Sequence, residues 1–518
     1  MPSYAGKSLV PKSLFRAILV IPPLALLSLT LATAAKAQTA TDPGPRPCKP
    51  SDCAGGFISG LTTDQALMKQ QGSNFFAEVN LIAGGTNIKR VGLGPRFDAN
   101  SCNSCHAGPA NGGSSLGFNV TPIASGTLCP DGTSITTPQG NQLFAQYQGC
   151  GAVNTMPFFE QTNGPTVVAR MPFRSDLVTP DGHVHQLFTI TGRSDAGTCN
   201  IQQPDFETAY AEGNLIFRNT TPFFGGGLVE IIRDSDIIAN MMAELTQKMA
   251  LGISGHPNLN GDDGSVNRFG WKAQKRSLIL FNGEAYNVEN GISNEFFPNE
   301  LDETPGCTPP FPDGPASGGN GTHGVPDDRA DYASLPTPGY LMPGDPERFA
   351  IFGRFLAAPV PGQCVADSAF GETAAQTCSN GQTQFNNTGC VLCHTQSFTT
   401  PPSSVGALGG QQVNLYSDLL VHDLGPCDAD NVTQGSATGD QFRTTPLWGV
   451  GQRYYFMHDG GLNRHGLMPE TNIVQAIEDH YCVGNTQYPN SEANGVITNF
   501  NNLSPMNQQD LVNFLRSL

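Results

Sequence analysis

Positive charge is scarce in this chain. Lys and Arg number 27 against 44 Asp and Glu, a formal net charge of -17 over 518 residues. No basic run occurs beyond the N-terminus, so a polyanion would be repelled and nucleic acid is excluded as a partner class. Charged residues of both signs make up only 14% of the sequence, and it holds 2 tryptophans. After the N-terminal segment, no apolar run is long enough to span a bilayer. Glycine and proline are in surplus, 60 and 40, about a fifth of the chain where roughly 12% is usual. That composition favours short elements joined by many loops. Apolar clusters recur throughout, so the length suffices for two or three domains with real cores.

The first residues read as an export signal. Lys7, Lys12 and Arg16 form a positive lead, "AILVIPPLALLSLTLATAA" follows, and Ala35–Ala37 offers a small-x-small cleavage site before Gln38. The expected mature protein is soluble and periplasmic or secreted. An oxidising compartment gives the 14 cysteines a purpose. Ten of them lie outside the motifs below: Cys48, Cys53, Cys129, Cys150, Cys199, Cys307, Cys364, Cys378, Cys427 and Cys482. Spacing offers Cys48–Cys53 and Cys364–Cys378 as local pairs. The rest of the connectivity is open.

Two short stretches carry chemistry. "NSCNSCHAGP" holds Cys102, Cys105 and His106, and "GCVLCHT" holds Cys390, Cys393 and His394. CxxCH is the covalent attachment pattern of c-type haem. The two thiols add to the porphyrin vinyl groups, and the adjacent histidine falls under the iron. Zinc would need a second ligand pair nearby, and neither flank supplies one. A CxxC disulfide would leave the histidine idle in both copies. Two covalently bound haem c groups are therefore the expected cofactors. Phe97 precedes the first motif; Gly381 and Phe385 precede the second.

Between the motifs, "LTTDQALMKQQGSNFFAEVNLIAG" has helical spacing and "HVHQLFTITGRS" is the best strand candidate. "SDIIANMMAELTQKMALGISG" reads as one helix started by Ser235 or Asp236 and closed by Gly252. "RFGWKAQKRSLILFNGEAYNVENGIS" reads as another. Asp302 to Pro346 is rich in Gly, Pro and Asp and reads as an insertion or linker. "DPERFAIFGRFLAAP" resumes helix. In "ETNIVQAIEDHY", Ile473, Ala476, Ile477 and His480 share one face. "SPMNQQDLVNFLRSL" starts on the Ser504 cap and buries Leu511, Phe514, Leu515 and Leu518. The expected fold is mainly α with extensive loops and few short strands, built as two cytochrome c-like haem domains. The expected division is 1–37 signal peptide, 38–345 N-terminal haem domain with loop-rich insertions, and 346–518 C-terminal cytochrome c-like haem domain.

A filled sixth iron position makes an electron-transfer centre, and an open one binds oxygen or peroxide. His480, on an apolar helix face, is the leading sixth ligand for the second haem. His422 and His458 compete, each preceding an Asp that offers a structural hydrogen bond, and Met457 could also ligate. His183, His185, His256, His323 and His465 stand in polar or loop-like contexts and read as solvated. The first haem has no equally good partner, which points to an open, reactive iron. Trp271 reads either as a core aromatic or as a relay between haems.

Long blocks resemble a known family. "GCVLCH", "QFRTTPLWGVGQRYYFMHDGG" and "IVQAIEDHY" are similar to the C-terminal half of bacterial di-haem cytochrome c peroxidases. With "GLGPRFDANSCNSCH", "GGGLVEII", "NRFGWKAQ" and "LYSDLLVHDLG", the chain more closely resembles the di-haem oxidoreductases, often labelled thiol oxidoreductase or peroxidase. The resemblance implies that His480 ligates the second haem. The peroxidases usually have Met there, and a related enzyme that matures a tryptophan cofactor has Tyr. It implies that Trp271 lies between the haems, and it offers Glu230 and Glu289 as acids for peroxide cleavage. It also implies a calcium ion near Thr444 and Pro446, a homodimer, and a small redox protein or other donor as partner beside a small-molecule substrate. The reading is an exported di-haem oxidoreductase, peroxidase-like, with one reactive haem and one bis-histidine electron-transfer haem. A pure electron-transfer cytochrome, or a haem oxygenase acting on a hydrophobic substrate, is the alternative.

Overall fold

Helix N-caps are written plainly in this sequence, and the computed structural model honours most of them. It describes residues 40–49, 53–78, 80, 96–116, 157–161, 164–189, 202–297 and 344–518. The leader, Cys129, Cys150, Cys199, Cys307, His323 and the insert up to residue 343 lie outside the described residues. Among the described residues, twelve α-helices and nine short strands make a mixed structure, about a third of it helical, with no barrel.

Helix α1 (Thr63–Phe76) begins with a reciprocal cap: Thr62 Oγ1 accepts from Gln65 N and the Gln65 side chain accepts from Thr62 N. The single turn α2 (Cys102–Cys105) carries the first motif. Strands β1 (Arg96–Phe97) and β4 (Phe188–Thr189) pair, and β2 (Val167–Arg170) lies between β3 (Val184–His185) and β5 (Ile216–Asn219). Helices α3 (Phe206–Ala211) and α4 (Gly226–Ile231) flank β5 in sequence. The small sheet buries Phe97, Phe159, Val167, Phe188 and Phe217 as one cluster.

The stretch after Asp234 is two helices, not one: α5 (Asp234–Met242) and α6 (Leu245–Leu251). Ala243 is extended and Glu244 sits at φ 54°, so the helical ladder breaks there. Buried Lys248 folds back and donates to the carbonyls of Asn240 and Met241, satisfying the end of α5. Gly252 closes α6 as expected. The next helix, α7, is confined to Leu278–Asn290, capped by Ser277 and ended by Gly291. Residues before it form turns instead, with Gly270 at φ 85° and Ala273 at φ 47°. Trp271 therefore sits on a turn.

Helix α8 (Asp345–Phe355) packs on α1 and α7. Gly72 makes this crossing possible, since a Cβ there would lie 2.4 Å from the Arg348 carbonyl oxygen. Phe76, Tyr286, Phe349 and Phe352 fill the joint, beside Cys102 and Phe223. The second motif follows α9 (Ala374–Thr388), which ends at Gly389 with φ 100°. Two further hairpins follow, β6 (Phe398–Thr399) with β7 (Gln412–Val413), and β8 (Val421–Asp423) with β9 (Gln441–Arg443). The chain then ends in α10 (Ile473–Asp479), α11 (Asn494–Asn501) and α12 (Pro505–Ser517). Ser504 caps α12, and Leu511, Phe514, Leu515 and Leu518 are buried with Phe385. At the α9–α12 crossing, a Cβ on Gly381 would meet the Asp510 carbonyl oxygen at 2.2 Å. Cys48–Cys53 and Cys364–Cys378 are disulfides, as is Cys427–Cys482. Among the described residues, no helix is long and apolar enough to cross a membrane.

Candidate functional site

Each CxxCH motif lies on the wall of its own cavity. The first, about 260 Å³, is lined by Cys102, Cys105, His106, Asp98, Glu289 and Trp271 among others. The second, about 210 Å³, is lined by Cys390, Cys393, His394, His480 and again Trp271. Trp271 is the one described residue on both walls.

Local sequence explains how the histidines are presented. Ser101 caps α2 by accepting from Ser104 N, and the turn ends on His106, whose amide donates to the Cys102 carbonyl at 3.0 Å. The His106 ring packs edge-on against Phe76 and Phe223. In the second motif, Gly389 releases the chain from α9 into a tight turn over Cys390–Leu392, and His394 N donates to the Cys390 carbonyl at 2.8 Å. His480 caps the C-terminal end of α10. Ile473, Ala476, Ile477 and His480 all reach the second cavity, as their spacing predicts.

One feature is common to the three. Nδ1 of His106 lies 2.9 Å from the Gly113 carbonyl oxygen, Nδ1 of His394 lies 3.0 Å from that of Tyr416, and Nδ1 of His480 lies 2.7 Å from that of Ala476. A main-chain carbonyl only accepts, so each Nδ1 carries the proton and each Nε2 keeps its lone pair. Burial pushes His106 and His394 down to about 4, with the nearby His480 ring adding to the effect at His394. The rings are thus neutral near pH 7, the state in which imidazole binds a metal. Burial also raises the Cys102 and Cys105 thiols and pushes Cys390 up to about 11.

The competing histidines separate cleanly. His422 is held between Glu492 at 2.7 Å and Asp418 at 3.0 Å, a structural role, although neither partner is the Asp that follows it. His458 makes no bond to Asp459; both its ring nitrogens are buried and unpartnered. His185 and His256 are not solvated loop residues: His185 is buried in β3, and His256 bonds Gln441 at 3.1 Å. His465 bonds Asp479 at 2.8 Å. His183 is exposed.

The two acids part company. Glu230 is on neither cavity wall; it ion-pairs with Arg354 at 2.6 Å and caps α7 by accepting from Leu278 N at 2.9 Å. Its sequence neighbourhood showed an acid near Gly-rich chain but not the Arg354 more than a hundred residues on that claims it. Glu289 does line the first cavity, and burial, reinforced by Glu284, raises its carboxyl to about 7. Asp98, missed by sequence reasoning, lines the same cavity with its Oδ2 buried and unpartnered. Its main-chain N–H donates to the Glu289 carbonyl at 2.6 Å. Thr444 lines the second cavity and its carbonyl already accepts from Ser417 Oγ at 2.6 Å.

Residues 361–518 match the family model described as "Di-haem oxidoreductase, putative peroxidase". This part of the chain is similar to the di-haem oxidoreductase family. That family's description names haem as its cofactor and oxidoreduction as its activity. The match spans the second motif and His480; the first motif lies outside it. No curated protein and no solved structure matches the chain. The residues of the di-haem oxidoreductase region suit a haem. The second cavity offers two thiols, two imidazoles with free Nε2, apolar faces from Val450, Ile477 and Leu511, and buried donors on Arg453 and His458 that no protein group satisfies. A porphyrin with two carboxylates has a use for every one of these.

Proposed function

We propose that this is an exported di-haem c-type oxidoreductase with peroxidase-like chemistry. Cys102, Cys105 and His106 would hold one haem. Cys390, Cys393, His394 and His480 would hold the other, in a cytochrome c-like C-terminal region. The observation that carries this reading is the shared tautomer of the three histidines, each pinned through Nδ1 with Nε2 left to a cavity.

When bound, such a group supplies electron transfer and, at an iron with an open position, reaction with peroxide. The residues of the chain supply the rest. The buried carboxyl of Glu289 holds a proton near pH 7 beside the first cavity, with Asp98 behind it, so acid for an oxygen leaving group is at hand. Trp271, its Nε1 donating to the Asn219 carbonyl at 2.7 Å, spans the wall between the two cavities. The one other described histidine on the first cavity wall, His183, is exposed, which favours this cavity as the reactive site. A net charge of -17 suits docking of a basic redox carrier.

Electron paramagnetic resonance on the oxidised, haem-loaded protein tests the assignment. One high-spin signal that peroxide alters, beside one low-spin bis-imidazole signal that it does not, is the expected result. Two low-spin signals indifferent to peroxide would sink the reactive-haem assignment and favour an electron carrier.

A further inference from the structure

Trp271 touches buried donors that the chain leaves unsatisfied. Nε and Nη2 of Arg453, and both ring nitrogens of His458, are buried without a partner. Arg453 is 9% exposed and His458 3%. The Arg453 guanidinium lies 5.8 Å from the Trp271 ring centre. The His458 ring lies 6.3 Å from it and stacks on Phe442 at 4.0 Å. Arg443 lines the same cavity, its Nε donating to the Gly270 carbonyl at 3.0 Å. Neither arginine has a carboxylate partner among the described residues. Two buried, uncompensated guanidiniums are a standing cost to the fold unless an anion enters.

The rest of the wall says how that anion arrives. Cys390 and Cys393 sit among Leu251, Leu392 and Val496, and the polar groups beside them, Thr388 Oγ1 and the His422 ring, already have protein partners, so the thiol side offers no unpaired donor. Among the residues that line this cavity, buried hydrogen-bonding donors without partners occur only on Arg453 and His458, beside Trp271. A flat ligand with apolar substituents at one edge and two carboxylates at the other has one favourable orientation in such a cavity. Resting on the haem reading above, we propose that Arg453 and His458, with Arg443, clamp the propionate edge of the second haem against Trp271. Two guanidiniums meet two carboxylates, and His458 adds a neutral N–H. The edge turned toward the first cavity is then the carboxylate edge, and Trp271 stands between it and the other site. Arg453 acts as a positioning residue that also holds positive charge close to the iron, which favours the reduced state.

Potentiometric titration of the exported, haem-loaded full chain tests this. Arg453→Gln should keep both covalent haems and the bis-imidazole spectrum. Its low-spin haem should become harder to reduce, by about tenfold in the reduction equilibrium, or about 59 mV for one electron. Arg453→Lys should recover most of that shift, and His458→Asn should show a smaller loss. A merely structural role would lower thermal stability without moving the potential. Haem-loaded Arg453→Gln with an unchanged potential overturns the clamp and leaves the haem reading standing. Wild-type protein that carries no covalent haem overturns both. Should Arg453→Gln fail to fold, wild-type potentials in His458→Asn would overturn the clamp.

Discussion

The buried carboxyl of Glu289 should make stability fall as pH rises through neutrality. Its charged surroundings are mostly acidic, Glu284 on its own helix and Asp98 after β1, against one guanidinium, Arg170 on β2. Burial and then Glu284 raise it from 4.5 to about 7. The folded protein therefore binds a proton that the unfolded chain has released over that interval. Stability from this group is fully present below about 4.5 and is lost as pH climbs through about 7. The difference corresponds to about 3 kcal/mol across the window. Glu289→Gln keeps the shape and removes the titration. Guanidinium unfolding of both proteins at pH 5 and pH 8, disulfides intact, reads it out. The wild type should lose up to about 3 kcal/mol more than the variant between these pH values. Asp98 titrates in both proteins and largely cancels; without its acidic neighbour it is also relieved, which steepens the contrast. Parallel pH profiles would refute a neutral Glu289, and with it the proton that the first cavity is proposed to hold.

Other outcomes are open to direct measurement. Cys102→Ala with Cys105→Ala, and separately Cys390→Ala with Cys393→Ala, should each lower covalent haem from two to one per chain in a pyridine haemochrome assay. His480→Met should keep both haems while raising the potential of the low-spin one, since thioether replaces imidazole; an unchanged potential would remove His480 as the ligand. Trp271→Phe should keep both haems yet slow re-reduction of the peroxide-treated protein in stopped flow. Gly381→Ala should destabilise the C-terminal region by about 1–3 kcal/mol through the clash with the Asp510 carbonyl, seen as a lower Tm.

Much of this was legible in the sequence where the signal is local. A capping box at Thr62 and Gln65, the Ser504 cap, and glycines at 252, 291 and 389 mark element ends through chemistry confined to one turn. The spacing from Ile473 to His480 likewise placed one histidine among apolar neighbours, and all four residues reach one cavity. Reading failed where a distant partner overrides local propensity. Periodicity ran a single helix through Ala243 because it could not see Lys248 turn back onto the end of α5. It ran another through Trp271, where Arg443 reaches across from β9 to bond the Trp271 and Gly270 carbonyls and hold a turn.

The site divides along the same line. The CxxCH cysteines and histidines are visible because the covalent attachment proposed for them demands fixed spacing within five residues. The groups that fix the tautomer of His106, His394 and His480 are main-chain carbonyls of Gly113, Tyr416 and Ala476, and a carbonyl has no letter in a sequence. Tyr416 makes the point most sharply. It sits at φ 55°, an unfavourable conformation for a side chain of its size, and its carbonyl takes the His394 Nδ1 proton. His458 and Arg453 were in view in "QRYYFMHDGG", but their meaning depends on what they lack. A histidine before an aspartate reads as a paired residue until the fold leaves both ring nitrogens bare against a cavity. Unsatisfied buried donors are a property of the folded chain alone, and on the wall of the second cavity they stand beside the one described tryptophan that both cavities share.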